Sequence, residues 1–160
     1  MKYEKHPTIY IKDFIKDYIS LDVKYIIAQI LLKKMNNNKI NTSNLLCSTI
    51  HEQNQIQNFI KSNILEKKII GFNMPFDVSI KGFIFIGLID IIIKDGNNVL
   101  PCIIASEPHD KYKYVIFKEA LNREFANCNK VLVLNINTGN LTEIDIKESN
   151  KYINRLCREI

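Results

Sequence analysis

The chain has 160 residues, of which 46% are hydrophobic and 24% charged. That is an ordinary globular balance, and it disfavours disorder, collagen and a disulfide scaffold. Its 22 basic and 17 acidic residues leave a net charge of +5, a mild pointer to a polyanionic partner and no more. The length suits a single domain, with residues 1–41 expected as N-terminal helices and 42–160 as the core. The longest apolar run, Phe83 to Ile93, is interrupted by Asp90 and is about half of a membrane span, so a transmembrane protein is excluded. Met1 to His6 has no apolar segment followed by small residues, and the protein is expected not to be secreted.

Four cysteines, Cys47, Cys102, Cys128 and Cys157, lie far apart with no C-x-x-C pair. They read as reduced thiols, and neither a zinc knuckle nor a local iron–sulfur ligand set is implied. Apolar residues recur at three and four from Thr8 to Met35, through Ile11, Phe14, Ile15, Tyr18 and Ile19 and then Tyr25, Ile26, Ile27, Ile30 and Leu31. This spacing predicts two successive amphipathic helices, broken at Ser20 and Asp22. Asn36 to Asn44 is a polar loop. A third helix is expected from Thr42 or Ser43 to Asn63, with Leu45, Leu46, Ile50, Ile56, Phe59 and Ile60 inward.

After Glu66 the pattern becomes extended. Lys68 to Phe72 and Phe76 to Ile80 read as short strands, and Phe83 to Ile93 as a central buried one. Lys94 to Asn98 contains Asp-Gly and predicts a hairpin turn into Val99 to Ala105, whose Pro101 suggests an edge or a bulge. Tyr112 to Phe125 has helical spacing. Lys130 to Asn135 and Leu141 to Ile146 are strands about a tight turn, and Lys147 to Arg158 is a final amphipathic helix. The order predicts an α+β fold, a mixed sheet flanked by helices, with an N-terminal helical segment.

One constellation carries a resemblance. His51 in Thr49-Ile50-His51-Glu52 lies on a helix. It is followed by Gly87-Leu88-Ile89-Asp90 on a strand, a hairpin, and a second strand ending Cys102-Ile103-Ile104-Ala105-Ser106. Helix with histidine, strand with Gly-x-x-Asp, turn, strand with Glu-x-Lys and then an amphipathic helix is the pattern of the RecB-like branch of the PD-(D/E)xK nucleases. That branch includes small CRISPR-associated exonucleases. The chain resembles it from Thr49 to about Ile146, in order and spacing more than in identity. The resemblance implies a restriction-endonuclease-like fold. It also implies a divalent ion, magnesium or manganese, held by a histidine, an aspartate and a glutamate, with a lysine positioning the attacking water.

His51 and Asp90 match two of those positions, but alignment by the hairpin puts Ile103 at the glutamate and Ala105 at the lysine. Isoleucine cannot ligate a metal and alanine cannot activate water. The resemblance therefore implies a catalytically inactive derivative, with no catalytic residues and no metal. An active metal-dependent nuclease using His51, Asp90 and Glu107 is the alternative, and it requires a bulge of about two strand steps, roughly 6 to 7 Å. The family's cysteine pattern for an iron–sulfur cluster is missing, so no cluster is expected. Lys111, Lys113, Lys118 and Arg123 read as a phosphate-tracking row or as a solvated face.

A nuclease fold that loses its catalytic groups retains a surface shaped for DNA. Sequence-independent DNA binding is the activity expected of this chain. The resemblance extends to the conversion of such a nuclease into a nucleocapsid protein in filamentous viruses of archaea. That places the protein in a virion or in the host cytoplasm and predicts a homo- or hetero-oligomer, assembled head to tail through the N-terminal helices. A protein-interaction module with no nucleic-acid partner is the third reading.

Overall fold

A computed structural model describes residues 6–40, 49–125 and 128–160. The fold is built on the predicted hairpin. Strands β3 (Phe83–Asp95) and β4 (Asn98–Ala105) pair antiparallel, from Asp95 opposite Asn98 to Ile91 opposite Cys102. The two-residue turn between them begins with Gly96 at φ 60°, a left-handed value that glycine adopts without strain. Strand β2 (Lys68–Ile80) runs antiparallel along the whole of β3. Strand β5 (Lys130–Asn135) lies parallel to the far half of β4, at Cys102 to Ala105. Strand β6 (Leu141–Asp145) closes the sheet antiparallel to β5.

Strand β1 (Thr8–Tyr10) runs parallel to β3 at Ile84 to Ile86, on the edge of β3 that β4 takes further along. It leads into the single turn α1 (Ile11–Phe14) and then extended chain as far as Ser20. The expected first helix is therefore a strand and one turn. Thr8, Ile9 and Tyr10 are β-branched and aromatic, and the free edge of β3 outweighs a helical spacing that holds only to Ile19. The second expected helix is α2 (Leu21–Met35), started by the Ser20 hydroxyl, which accepts from the Val23 N–H at 3.2 Å.

Helix α3 (Ile50–Lys61) is followed by a 3-10 turn at Asn63–Glu66. The expected start of this helix at Thr42 or Ser43, its residues Leu45 and Leu46, and Cys47 lie outside the described residues. The two short strands expected before Gly82 are one 13-residue strand, interrupted by a register shift between Ile69 and Gly71. Pro75 is tolerated within it because β2 is an edge strand. Pro101 precedes the first rung between β4 and β5, so it removes no donor from that ladder. The expected helix Tyr112 to Phe125 divides into a 3-10 turn, Lys111–Tyr114, and α4 (Val115–Asn122). Helix α5 (Ser149–Glu159) ends the chain.

The sheet is covered on both faces. Helices α4 and α5 bury Phe117, Leu121, Ile153 and Leu156 against Val78, Phe85, Ile89, Ile103 and Val131. Helices α2 and α3 bury Ile27, Ile30, Leu31, Ile56 and Phe59 against Ile91, Ile93, Ile104 and Leu132. Each fully buried side chain of this size contributes about 1.5–3 kcal/mol. Tyr25, read as inward from its spacing, is instead 66% exposed, because Val23, Ile27, Ile30 and Leu31 form the inward stripe of α2.

Candidate nucleic-acid interface at the fork of the sheet

The last rung between β3 and β4 joins Ile91 to Cys102, while β1 reaches only as far as Ile86. Gly87 to Asp90 therefore have no strand beside them on that edge, and the sheet forks. The inward residues of β3 change face at the same place. Phe85 and Ile89 lie in the core with α4, and Ile91 and Ile93 in the core with α3. Opposite Asp90 on β2 stands Asn73, between the pairs Met74–Ile89 and Phe72–Ile91, with φ 49°. This irregularity frees the Asp90 side chain to bond within the plane of the sheet. Its Oδ2 accepts the peptide N–H of Ile104 at 2.8 Å, so the carboxylate replaces the rung that a straight β3 would have supplied.

Beside the fork is a cleft of about 660 Å³. Asp90, Ile103 and Leu88 form its floor, and the segment from Tyr10 to Ile19 forms its wall. Lys12, Lys16 and Lys24 line it and are exposed. Tyr10 and Tyr18 at its rim are 48% and 74% exposed. Burial pushes the Asp90 carboxyl up to about 7. The Ile104 N–H opposes this, the Asp17 charge adds to it, and Lys24 opposes it again.

A polar clasp holds the wall in place. Asp17 Oδ1 accepts from the Ser106 N–H at 2.8 Å and lies 3.2 Å from His109 Nε2 and 3.3 Å from Ser106 Oγ. Ser106 Oγ in turn accepts the Tyr18 N–H at 2.8 Å. Asn137 donates to the Ser106 carbonyl at 2.6 Å, and Gln55 donates to Asn137 at 2.9 Å, which ties the clasp to α3. Lys113 donates to the Phe14 carbonyl at 3.3 Å. Among the described residues the buried Tyr114 hydroxyl has no hydrogen-bond partner, and burial together with the Asp17 charge pushes its pKa up.

The residues singled out by resemblance are not gathered at one point. Asp90 is at the fork, Ile103 lies beside it at 3% exposure, and Ala105 is 1% exposed. His51 is exposed in the first turn of α3. The quartet that contains it is a capping box: Thr49 Oγ1 accepts the Glu52 N–H at 3.1 Å and donates to Glu52 Oε1 at 2.9 Å. The Ser20 hydroxyl also donates to Glu52, at 2.5 Å, so this pair joins the starts of α2 and α3. Glu107 is exposed on the loop after β4. Among the described residues no group of three histidine, cysteine, aspartate or glutamate side chains is arranged to hold a metal ion.

Most of the cationic row is committed elsewhere. Lys118 donates to the Ile146 carbonyl at 3.0 Å and to Ser149, exposed Arg123 donates to the Ser79 carbonyl at 2.7 Å, and Lys111 is exposed on its turn. Sequence reasoning missed Asp17, Lys12, Lys16 and Lys24. Their spacing looked helical, and nothing local announces that the chain before Ser20 crosses a sheet formed by residues far downstream.

No protein-family model matches the chain, and no curated protein matches it. Among solved structures it is similar to one described as the crystal structure of SSO0001, at 14% identity and a TM-score of 0.45, over 99% of this chain and 76% of that one. Among the described residues no helix is long and apolar enough to cross a membrane.

Proposed function

We propose that the protein binds DNA without cutting it, in the cleft at the fork of the sheet. The observation that carries this reading is the surroundings of Asp90. A divalent ion poised to cleave a phosphodiester needs several oxygen ligands. Here the neighbouring position on β4 is Ile103, and one Asp90 oxygen is occupied by the Ile104 N–H. What the cleft does offer suits a nucleic-acid backbone. Lys12, Lys16 and Lys24 can neutralise phosphates, and Tyr10 and Tyr18 offer stacking faces to bases. None of these contacts reads a base edge, so binding is indifferent to sequence. The further proposal, that many copies coat a viral genome, rests on the resemblance of the sequence, and the net charge of +5 is compatible with it.

Fluorescence anisotropy with unrelated single- and double-stranded oligonucleotides tests the reading. Three lysine contacts give a slope of log K against log salt of about −2.7 on duplex DNA. Changing Lys12, Lys16 and Lys24 together to glutamine is expected to abolish binding and its salt dependence while leaving the melting temperature within a few degrees. Lys118→Gln is expected to do the reverse, lowering the melting temperature and leaving the slope unchanged, because its ammonium serves the Ile146 carbonyl and Ser149. Absence of binding at low salt sinks the proposal and leaves the protein-interaction reading. DNA degradation that needs magnesium or manganese and is lost in Asp90→Asn replaces it with the active-nuclease reading.

A further inference from the structure

Helix α2 carries apolar side chains on two sides. Val23, Ile27, Ile30 and Leu31 face the core. Leu21, Tyr25, Leu32 and Met35 face away from it and are 82%, 66%, 45% and 38% exposed. With half-buried Ala28 they recur at intervals of four, three, four and three residues. This is the a/d spacing of a coiled-coil seam. A helix lying on a sheet requires one apolar stripe, and among the described residues the second is left exposed.

From this we infer that α2 is a homodimerisation surface, on which two copies pack their outer stripes antiparallel about a two-fold axis at Ala28. The stripe is nearly symmetric about that residue. Reversing direction sets Leu21 against Met35 of the second copy and Tyr25 against Leu32, with the small alanine at the closest approach. The charges select the direction. Asp22 is in the first turn of α2 and Lys33 in the last. The two are about three turns apart on one flank of the stripe. An antiparallel pair brings each Asp22 to the Lys33 of the other copy, twice over, whereas a parallel pair sets like ends side by side. Antiparallel helix dipoles also attract.

Four large apolar side chains per copy, doubled by the two-fold, reach the order of 1,000 Å² at which specific association begins. They fall short of the 2,000 Å² and more of obligate dimers, so the pair exchanges with monomer. An isologous pair is closed. It doubles the lysines presented by one particle, and a filament needs a further contact.

Sedimentation of the full chain without DNA tests this independently of nucleic-acid binding. The expected result is a monomer–dimer equilibrium that Leu32→Glu or Tyr25→Glu weakens at least tenfold with an unchanged melting temperature. Asp22→Lys is expected to weaken it too, and Asp22→Lys with Lys33→Asp to restore it. Ala28→Cys is expected to give a covalent dimer on mild oxidation where the unmodified chain gives none. A monomer at every concentration, a ladder of larger species, a dimer indifferent to both glutamate variants, or a dimer that Ala28→Cys does not cross-link overturns the inference.

Discussion

Replacing Asp90 by asparagine is expected to stabilise the protein at pH 8 by about 2–4 kcal/mol and to change little near pH 4. In the unfolded chain this carboxyl titrates near 3.8, and in the folded protein near 7. Between those values the folded state keeps a proton that the unfolded state has released. Unfolding free energy therefore falls as pH rises from about 4 to about 7 and is flat above. Asparagine retains a carbonyl oxygen for the Ile104 N–H and has no charge to desolvate. Solvent entering from the cleft lowers the gain below the full value of the shift. Asp90→Ala is expected to behave differently, leaving the Ile104 N–H without an acceptor at a cost of about 1–3 kcal/mol. Denaturant melts at pH 4, 6 and 8 decide the matter: an asparagine variant whose gain is the same at all three, or which loses stability at pH 8, refutes this account of Asp90.

Gly87→Ala is expected to cost about 3 kcal/mol and to loosen the wall of the cleft. A β-carbon at Gly87 would lie 2.5 Å from Ile11 Cγ1, 2.9 Å from Ile11 Cβ and 3.1 Å from Phe76 Cζ. Ile11 has little room to withdraw, since it is 6% exposed and follows directly on β1. The strain therefore passes to the pairing of Thr8 to Tyr10 with β3 and to the Asp17 clasp. Limited proteolysis is expected to cut between residues 8 and 20 in the variant before it cuts anywhere in β2 to β5. A variant with the stability of the parent, or one whose first cuts fall elsewhere, would show that the strap does not rest on Gly87.

The parts legible in the sequence are those governed by short-range chemistry. The Asp-Gly turn located the β3–β4 hairpin, and the three-and-four spacing of Phe117, Ala120 and Leu121 located α4. The mixed sheet between helices followed from their order. The quartet Thr49-Ile50-His51-Glu52 carries two signals at once, a histidine on a helix and a Ser/Thr-x-x-Glu cap, and the hydrogen bonds show the second in use. The site was harder to read because the cleft is assembled from distant segments. Asp17 meets Ser106 and His109 only after the sheet has formed, and a helical period from Ile11 to Ile19 concealed a strand. Asp90 was legible because a carboxylate among isoleucines needs a partner, but its partner is a backbone N–H, which no side-chain pattern announces.

The parallel pairing of β1 with β3 sets an order of events during synthesis. Thr8 stands opposite Ile84, 76 residues later by subtraction. At roughly 5–20 residues per second, the strap leaves the ribosome several seconds before its partner strand exists. Its apolar residues Ile9, Ile11 and Ile15 spend that interval without the strand against which they pack. The wall of the cleft that Asp90 faces thus waits for a strand made later, and it is completed when Thr8 to Tyr10 pair with β3.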